Sequence, residues 1–460
     1  MLEANRNPKI RQLTLAEIEA FSGYVGNFNV RIRKKARYTT RDCNGCGACF
    51  DPCPAYRPHD FEYGMAPTKA IYKSFAQAVP GVAQIDKEYC IDCGICAKVC
   101  ELKAVDYDQQ DEILEEQFGI VIVACGYEEW LPKKGMLGFG VYENVITQGR
   151  LERLLAPNGP LVGHLERPSD GKRPASIAFI QCVGSRDRQT NAHCCTTGCM
   201  LSVKNSKLIK QEYPDTEETI FFMDMRCTHK AAEEYSMATR KEGVHFVRSS
   251  IGRVEENPKT KNLILRYEDT MNPGAMKKLE VEMVVLTTNM VLGESNTKLV
   301  KMLHLDQSPD GFFKEFHARL DPMSTKVPGI FLAGTAQGPY NIAETISHAG
   351  GAASMAGRIL KAGKFEIELI RAVVEHPETC SVCYRCVDAC PYGAISIDNN
   401  NQIHVDVILC KGCGTCSNVC RSQTIQLRYY RDNSFDAQID AMFAPPTDET
   451  SPVELEQADT

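Results

Sequence analysis

Sixteen of the 22 cysteines fall into four copies of one pattern, C-x2-C-x2-C-x3-C. The copies are Cys43, Cys46, Cys49 and Cys53; Cys90, Cys93, Cys96 and Cys100; Cys380, Cys383, Cys386 and Cys390; and Cys410, Cys413, Cys416 and Cys420. Thiolates two residues apart in a tight loop can each bind one corner iron of a cubane, and the fourth cysteine reaches the neighbouring cluster. The pattern therefore groups Cys43, Cys46 and Cys49 with Cys100, and Cys90, Cys93 and Cys96 with Cys53. In the second pair of runs, Cys380, Cys383 and Cys386 go with Cys420, and Cys410, Cys413 and Cys416 with Cys390. Structural zinc also uses C-x2-C pairs, but it needs no third cysteine after a second two-residue gap and no fourth after three more. Four [4Fe–4S] clusters are expected. Gly45, Gly47, Gly94, Gly412 and Gly414 let backbone N–H groups approach the sulfurs and tune their potential.

Of the six remaining cysteines, Cys182 ends an apolar strand, while Cys194, Cys195 and Cys199 surround the start of the next helix. Four thiols converging on one strand end and one helix start can hold a fifth cluster, against the alternative of buried thiols acting as small hydrophobes. Cys125 and Cys227 read as packing residues.

Two further fragments have the form of flavin-binding turns. Val123-Ala124-Cys125-Gly126 matches the Ala-Thr-Gly turn that ends a strand in two-dinucleotide-domain flavoproteins, and Gly329–Thr335 followed by a helix matches their late flavin motif. The residues expected to touch the flavin are Ala124, Cys125, Gly126, Gly334, Thr335, Ala336, Gln337 and Gly338. Glycine there admits the cofactor to the backbone, and a helix N-terminus faces it. No strand leads into G-x-G-x-x-G, which would hold the ADP half of FAD. The turn after the second candidate strand reads Cys182-Val-Gly-Ser-Arg186 instead, so a nicotinamide cofactor is not expected there.

The elements that position these residues follow from periodicity. Alternation at Phe28, Val30 and Ile32 predicts an exposed strand, and Phe118–Gly126 predicts a fully buried one, with a cysteine-rich block inserted between strands of one antiparallel meander. From Pro174 the pattern turns β-α-β: a strand over Ala175–Cys182, a helix over Cys199–Tyr213, a strand over Thr219–Met223. Further strands are predicted at Gly252–Glu255, Asn262–Tyr267 and Val281–Thr287. Pro328–Gly334 reads as a buried strand and Tyr340–Leu360 as a long helix. The two cysteine blocks are an internal repeat, each with a first run ending in Cys-Pro (Cys53-Pro54, Cys390-Pro391). The last thirty residues, rich in Pro, Asp, Glu and Thr, read as a flexible tail.

Composition excludes several classes. Hydrophobic residues at 43% and charged residues at 24% are ordinary for a globular protein, and a net charge of −7 with no basic run argues against a nucleic-acid partner. The first residues carry no apolar leader, and no apolar run is long enough for a transmembrane segment. Ligand-type cysteine spacing in a chain of 460 residues fits a reducing, cytoplasmic setting rather than a secreted disulfide framework.

Ser22–Phe28, Tyr142–Thr147, Arg167–Pro174, Phe179–Asp187 and Leu332–Pro339 strongly resemble the A subunit of heterodisulfide reductase, over essentially Met1 to about Tyr430. The resemblance implies an α/β plus α+β fold: a partial thioredoxin-reductase-like FAD protein with an inserted and a C-terminal dicluster ferredoxin. Residues 1–37 and 109–365 would form the flavoprotein part, with 174–290 an NAD-domain-like portion lacking the nucleotide motif. Residues 38–108 and 366–430 would form the ferredoxin modules, and 431–460 the tail. The resemblance implies flavin-based electron bifurcation, dividing electrons between ferredoxin and a disulfide-reducing partner, as in methanogenesis. It matches Lys204 and Glu152 to a Lys–Glu pair near the flavin ring, and Cys182 to a cluster ligand. The family's next motif is C-x3-C-C where this chain has Cys194-Cys-Thr-Thr-Gly-Cys199, which leaves individual ligands open. The family's G-x-G-x-x-G segment would lie before Met1, so either the family's chain is split in two or the start was read too late, a selenocysteine codon taken for a stop being one route. The implied partners are an upstream FAD-domain polypeptide, the other heterodisulfide-reductase-type subunits, a hydrogenase- or formate-dehydrogenase-type donor, and ferredoxin. Two other readings remain: a polyferredoxin-like wire without flavin, and the homologous subunit of a benzoyl-CoA reductase or sulfur-metabolism complex.

Overall fold

Every second residue of Asn27–Lys34 turns inward, which makes this strand the middle of a three-stranded antiparallel sheet between Ala16–Tyr24 and Glu112–Phe118. Phe28, Val30 and Ile32 are buried, so the strand expected to be exposed has one covered face. Its two antiparallel partners explain this: both edges are paired, and the apolar set lies on one side. The chain leaves the sheet at Lys34 and re-enters it at Glu112, with the first cysteine block between. The computed structural model describes residues 2–268, 270, 274, 276–365 and 369–443.

The chain divides into two compact units, Met1–Thr325 with Ile330–Gly357, and Lys326–Gly329 with Arg358–Thr460. At the centre of the first is a five-stranded parallel sheet of β1 (Val145–Thr147), β2 (Ser176–Val183), β3 (Glu217–Phe222), β4 (His245–Arg248) and β5 (Met283–Thr288). Their spatial order is β1-β5-β2-β3-β4. Helices α1 (Gln148–Leu155), α2 (Gly198–Glu212) and α3 (Ala232–Lys241) belong to the same portion. β2 and β5 are apolar throughout their middle, as strands covered on both faces must be. One core layer joins Ile177, Phe179, Val203, Ile209 and Val285 with Leu151 and Leu154 of α1. The other joins Ala178, Ile180, Phe221 and Leu286 with Leu263 and Leu265 of an antiparallel sheet formed by Ile251–Glu256, Leu263–Glu268 and Met276–Val281.

Val121–Val123 pairs in parallel with Ile330–Leu332, Val123 opposite Leu332. Ile330–Leu332 is fully buried as expected, but Ile122 and Phe118 are 42% and 37% exposed. The fully buried strand expected over 118–126 is therefore shorter and covered on one face only, because it belongs to a sheet of two strands. Asp432–Phe443 is helical where a tail was expected from residue 431; the remainder of that expected tail, 444–460, lies outside the described residues.

Glu218 of β3 is buried, and neither carboxylate oxygen has a hydrogen-bond partner among the described residues. Burial pushes its pKa from 4.5 up to about 8, against smaller downward pulls from Ser206 and Lys210. The unfolded chain gives up this proton in the ordinary carboxylate range while the folded chain keeps it, so stability falls as pH rises through that window. The limiting slope is about 1.4 kcal/mol per pH unit. Glu218→Gln is expected to flatten the fall, and urea midpoints at about pH 5 and about pH 8 read it. Equal slopes in both proteins would sink the prediction.

Candidate iron–sulfur and flavin site

In the inserted block, Cys43, Cys46, Cys49 and Cys100 line one cavity, while Cys53, Cys90, Cys93 and Cys96 line a second. In the C-terminal block, Cys390, Cys410, Cys413 and Cys416 line a third. Cys386 stands close enough to Cys420 and Cys380 for their charges to raise its pKa, after burial, the larger cause. Each of the three cavities joins three cysteines of one run to the fourth of its neighbour. Among the described residues no three His, Cys, Asp or Glu side chains converge tightly enough for a single metal ion. A cubane asks for a wider cage, since its four ligands sit at separate irons.

The two blocks also share backbone N–H bonds to their cysteine sulfurs. The N–H of Ala83 reaches Cys43 Sγ at 3.4 Å, as that of Ala372 reaches Cys410 Sγ at 3.3 Å. Ala104 and Ala394 donate to Cys100 and Cys390, four residues back, both at 3.3 Å. Gly45 and Gly412 have positive φ (+68° and +64°), and a β-carbon on either would strike a backbone carbonyl, of Gly81 and Ile370 respectively. Burial raises Cys49 to about 12 and Cys416 to about 11. These thiols ionise in place only when a metal takes the proton's position.

The third thiol group lies at the end of β2. The ladder to β5 shifts between Ile180 and Val183, and Cys182 takes φ +61°, a left-handed conformation that a residue with a β-carbon adopts at a cost. Gly184 follows because Trp130 packs where its side chain would be. Cys194 Sγ accepts from the Thr196 N–H at 3.4 Å, the same bond, two residues on, that Cys380 Sγ takes from Val382 at 3.4 Å. A hydrogen bond from Cys195, with the nearby guanidinium charges of Arg226 and Arg186, brings Cys194 down to about 5. That bond and burial push Cys195 up. Cys199 is held at about 11 by burial, and the charges of Cys182, Cys194 and Cys227 add to the rise. Cys227, expected to be a packing residue, is half-buried in the loop after β3, outside the core.

The two flavin-like fragments, some 200 residues apart in the chain, meet through the Val123–Leu332 pairing, and the Ala333 N–H donates to Val123 O at 2.9 Å. Ala124, Cys125 and Gly126 thus lie beside Gly334, Thr335, Ala336, Gln337 and Gly338. A β-carbon on Gly126 (φ +78°) would stand 4.0 Å from Thr335 Oγ1, and one on Gly334 (φ +63°) would press on Thr345. The Gly334 N–H is taken by His348 Nδ1 at 3.0 Å, while His348 Nε2 and Gln337 Oε1 are buried without partners among the described residues. A cradle of small residues with spare polar atoms fits the flavin end of the cofactor. Thr196 Oγ1 donates to Pro339 O at 2.6 Å, tying the third thiol group to this turn.

Lys204 of α2 and Glu152 of α1 form an ion pair, Nζ to Oε1 2.7 Å and to Oε2 2.8 Å, and Asn205 Nδ2 adds a bond at 2.7 Å. Glu152 is near enough to Tyr127, the residue after Gly126, for its charge to help raise the tyrosine pKa, behind burial and Glu129. Lys204 and Glu152, expected from resemblance as a pair, are ion-paired in the structure. The next residue, Arg153, grips Glu62 of the inserted block with Nε–Oε2 2.9 Å and Nη2–Oε1 2.8 Å.

Residues 42–108 and 372–433 each match a family model described as a 4Fe-4S dicluster domain. The chain is 45% identical over 449 residues to the CoB–CoM heterodisulfide reductase iron-sulfur A subunit of Methanocaldococcus jannaschii, covering 96% of this chain and 68% of that protein. It is equally 45% identical to the A subunit of the H2/formate:CoB–CoM heterodisulfide,ferredoxin reductase of Methanococcus maripaludis, over 96% of this chain and 68% of the relative. Among solved structures, thioredoxin reductase of T. acidophilum matches 55% of this chain and 69% of its own, at 15% identity and a TM-score of 0.35. No helix among the described residues is long and apolar enough to cross a membrane.

Proposed function

We propose, from the premise that this chain belongs to the family of CoB–CoM heterodisulfide reductase iron-sulfur A subunits, that it is the electron-distributing oxidoreductase subunit of such a complex. Two dicluster domains make it an iron–sulfur electron carrier. Its finer activity is flavin-based electron bifurcation in the cytoplasm, between a hydrogenase- or formate-dehydrogenase-type donor, ferredoxin and a disulfide-reducing partner subunit. The observation that carries this reading is the pairing of the two small-residue turns, with the third thiol group joined to them by Thr196 and Pro339; the Lys204–Glu152 ion pair supports it.

The four sets of ferredoxin cysteines hold four [4Fe–4S] clusters, and the thiols at the end of β2 hold a fifth. FAD, when bound, exchanges two-electron for one-electron chemistry. Ala124–Gly126 and Gly334–Gly338 hold its flavin end, while Lys204 and Glu152 set the local charge. The given sequence contains no G-x-G-x-x-G, so its residues account for the flavin end of the cofactor and not for the adenine end. The inserted module then accepts electrons at short range, because Arg153 and Glu62 fix it against the helix that carries Glu152.

The test is anaerobic expression together with the upstream reading frame, followed by iron, sulfide and flavin quantitation. About twenty irons, at four per cubane, and one FAD per chain are expected. About sixteen irons and no flavin would leave a polyferredoxin-like wire, and bifurcation would be withdrawn.

A further inference from the structure

The second halves of the two cysteine blocks align on their cysteines without a gap, and the alignment brings out one difference. Seven residues after Cys100 stands Tyr107; seven after Cys420 stands Leu427. Both are half-buried, and each lines the cavity of its own set, Tyr107 with Cys53, Cys90, Cys93 and Cys96, Leu427 with Cys390, Cys410, Cys413 and Cys416. Leu427 packs over the ligand loop, its Cδ1 3.1 Å from where a β-carbon on Gly414 would stand, whereas one on the equivalent Gly94 would meet nothing. Tyr107 instead brings its hydroxyl to a sulfur, Oη to Cys96 Sγ at 2.7 Å.

A cation holds that ring in place. Lys87 Nζ stands 5.0 Å from the centroids of both the Tyr107 and the Tyr38 rings, and Asp92 Oδ1 anchors it at 2.6 Å. The C-terminal block has Val407 and Gly412 at those two positions, so hydroxyl and clamp are present together in one block and both missing from the other. Donors to the C-terminal set sit on other sulfurs: the Ala372 and Ala394 N–H groups at 3.3 Å from Cys410 and Cys390, and Thr415 Oγ1 at 3.4 Å from Cys413. A cysteine bound to iron has no proton to give, so at Cys96 the tyrosine is the donor. Resting on the reading that Cys53, Cys90, Cys93 and Cys96 hold a [4Fe–4S] cluster, we infer that Tyr107 is a positioning residue that acts through Cys96 to raise the reduction potential of that one cluster. A one-electron reduction places more negative charge on the ligand sulfurs, and a hydrogen bond strengthens with the charge of its acceptor. The bond therefore favours the reduced form over the oxidised one.

The test uses the full chain, purified without oxygen, and compares the parent with Tyr107→Phe, Tyr107→Leu and Tyr38→Phe. Iron content is measured first; the electron paramagnetic resonance signal of the reduced clusters is then titrated with dithionite in the presence of viologen mediators. Tyr107→Phe is expected to keep the parent's iron and to move one one-electron component to lower potential. At a fixed potential its reduced-to-oxidised ratio should fall about tenfold, equivalent to about 59 mV for one electron. Tyr107→Leu should move the same component in the same direction, and Tyr38→Phe, which removes the hydroxyl from the other ring beside Lys87, should move none. A Tyr107→Phe protein that titrates like the parent while Tyr107→Leu shifts would show that the ring governs by its bulk, and the hydroxyl's role would be lost. Loss of about four irons in Tyr107→Phe, or an equal shift in Tyr38→Phe, would overturn the inference as well. A parent with fewer than about sixteen irons would instead remove the cluster reading on which it rests.

Discussion

Alanine at Gly45 is expected to cost the chain the cluster held by Cys43, Cys46, Cys49 and Cys100, and alanine at Gly412 the one held by Cys390, Cys410, Cys413 and Cys416. Both glycines stand two residues after the first cysteine of their run, at positive φ, with a backbone carbonyl where a β-carbon would go. The left-handed conformation alone costs a residue with a side chain about 1 kcal/mol. The carbonyl is the larger obstacle, because backbone cannot rotate aside as a side chain does. It belongs to the segment whose N–H, two residues on, reaches the first sulfur, from Ala83 or Ala372. Making room for the methyl therefore pulls that donor off the sulfur as well. Gly47→Ala is the control: its φ of +85° is equally left-handed, but the nearest atom is the edge of Phe50 at 3.4 Å. Iron content per chain should fall by about four in Gly45→Ala and in Gly412→Ala and stay near the parent's in Gly47→Ala. Equal losses in all three would mean that conformation alone governs, and the packing argument would be wrong.

Three of the four cysteine sets were legible because ligand spacing is a local, short-range code, and three cavities group the same residues that the spacing groups. The β-α-β order was legible for a similar reason: strands buried on both faces read as unbroken apolar runs, as over Ile177–Ile180 and Met283–Leu286. Short elements on the rim were not. His245–Arg248 has too few residues to show a period, and Asp432–Phe443 gives little apolar repeat beside the acidic, proline-containing stretch that follows. Exposure at Ile122 was illegible in principle, since an apolar residue does not announce which neighbours cover it.

Arg153→Ala is expected to loosen the inserted dicluster from the rest of its unit, and the reason lies in α1. Adjacent residues of this helix point to two different structures: Glu152 to Lys204 and Asn205 of α2, Arg153 to Glu62 of the insertion. The Lys204–Glu152 pair is 38% and 34% exposed, so solvent screens it and its worth to stability is under about 1 kcal/mol. Arg153 and Glu62 are 15% and 8% exposed, joined by two charge-assisted bonds, with the guanidinium 4.6 Å above the Phe61 ring. Removing Arg153 leaves a buried carboxylate with its charge uncompensated, a loss of about 3–5 kcal/mol. Unfolding of the Arg153→Ala protein should therefore begin at clearly lower denaturant than that of Lys204→Met. Amide exchange should rise first over Tyr56–Lys69, where the insertion's hairpin and Glu62 lie. Adding Glu62→Gln should restore part of the loss, because most of it comes from the orphaned charge rather than from the pair's net worth. If Arg153→Ala and Lys204→Met unfold together, the insertion is held by its two strand connections at Lys34 and Glu112 alone, and α1 does not set the distance between the inserted clusters and Glu152.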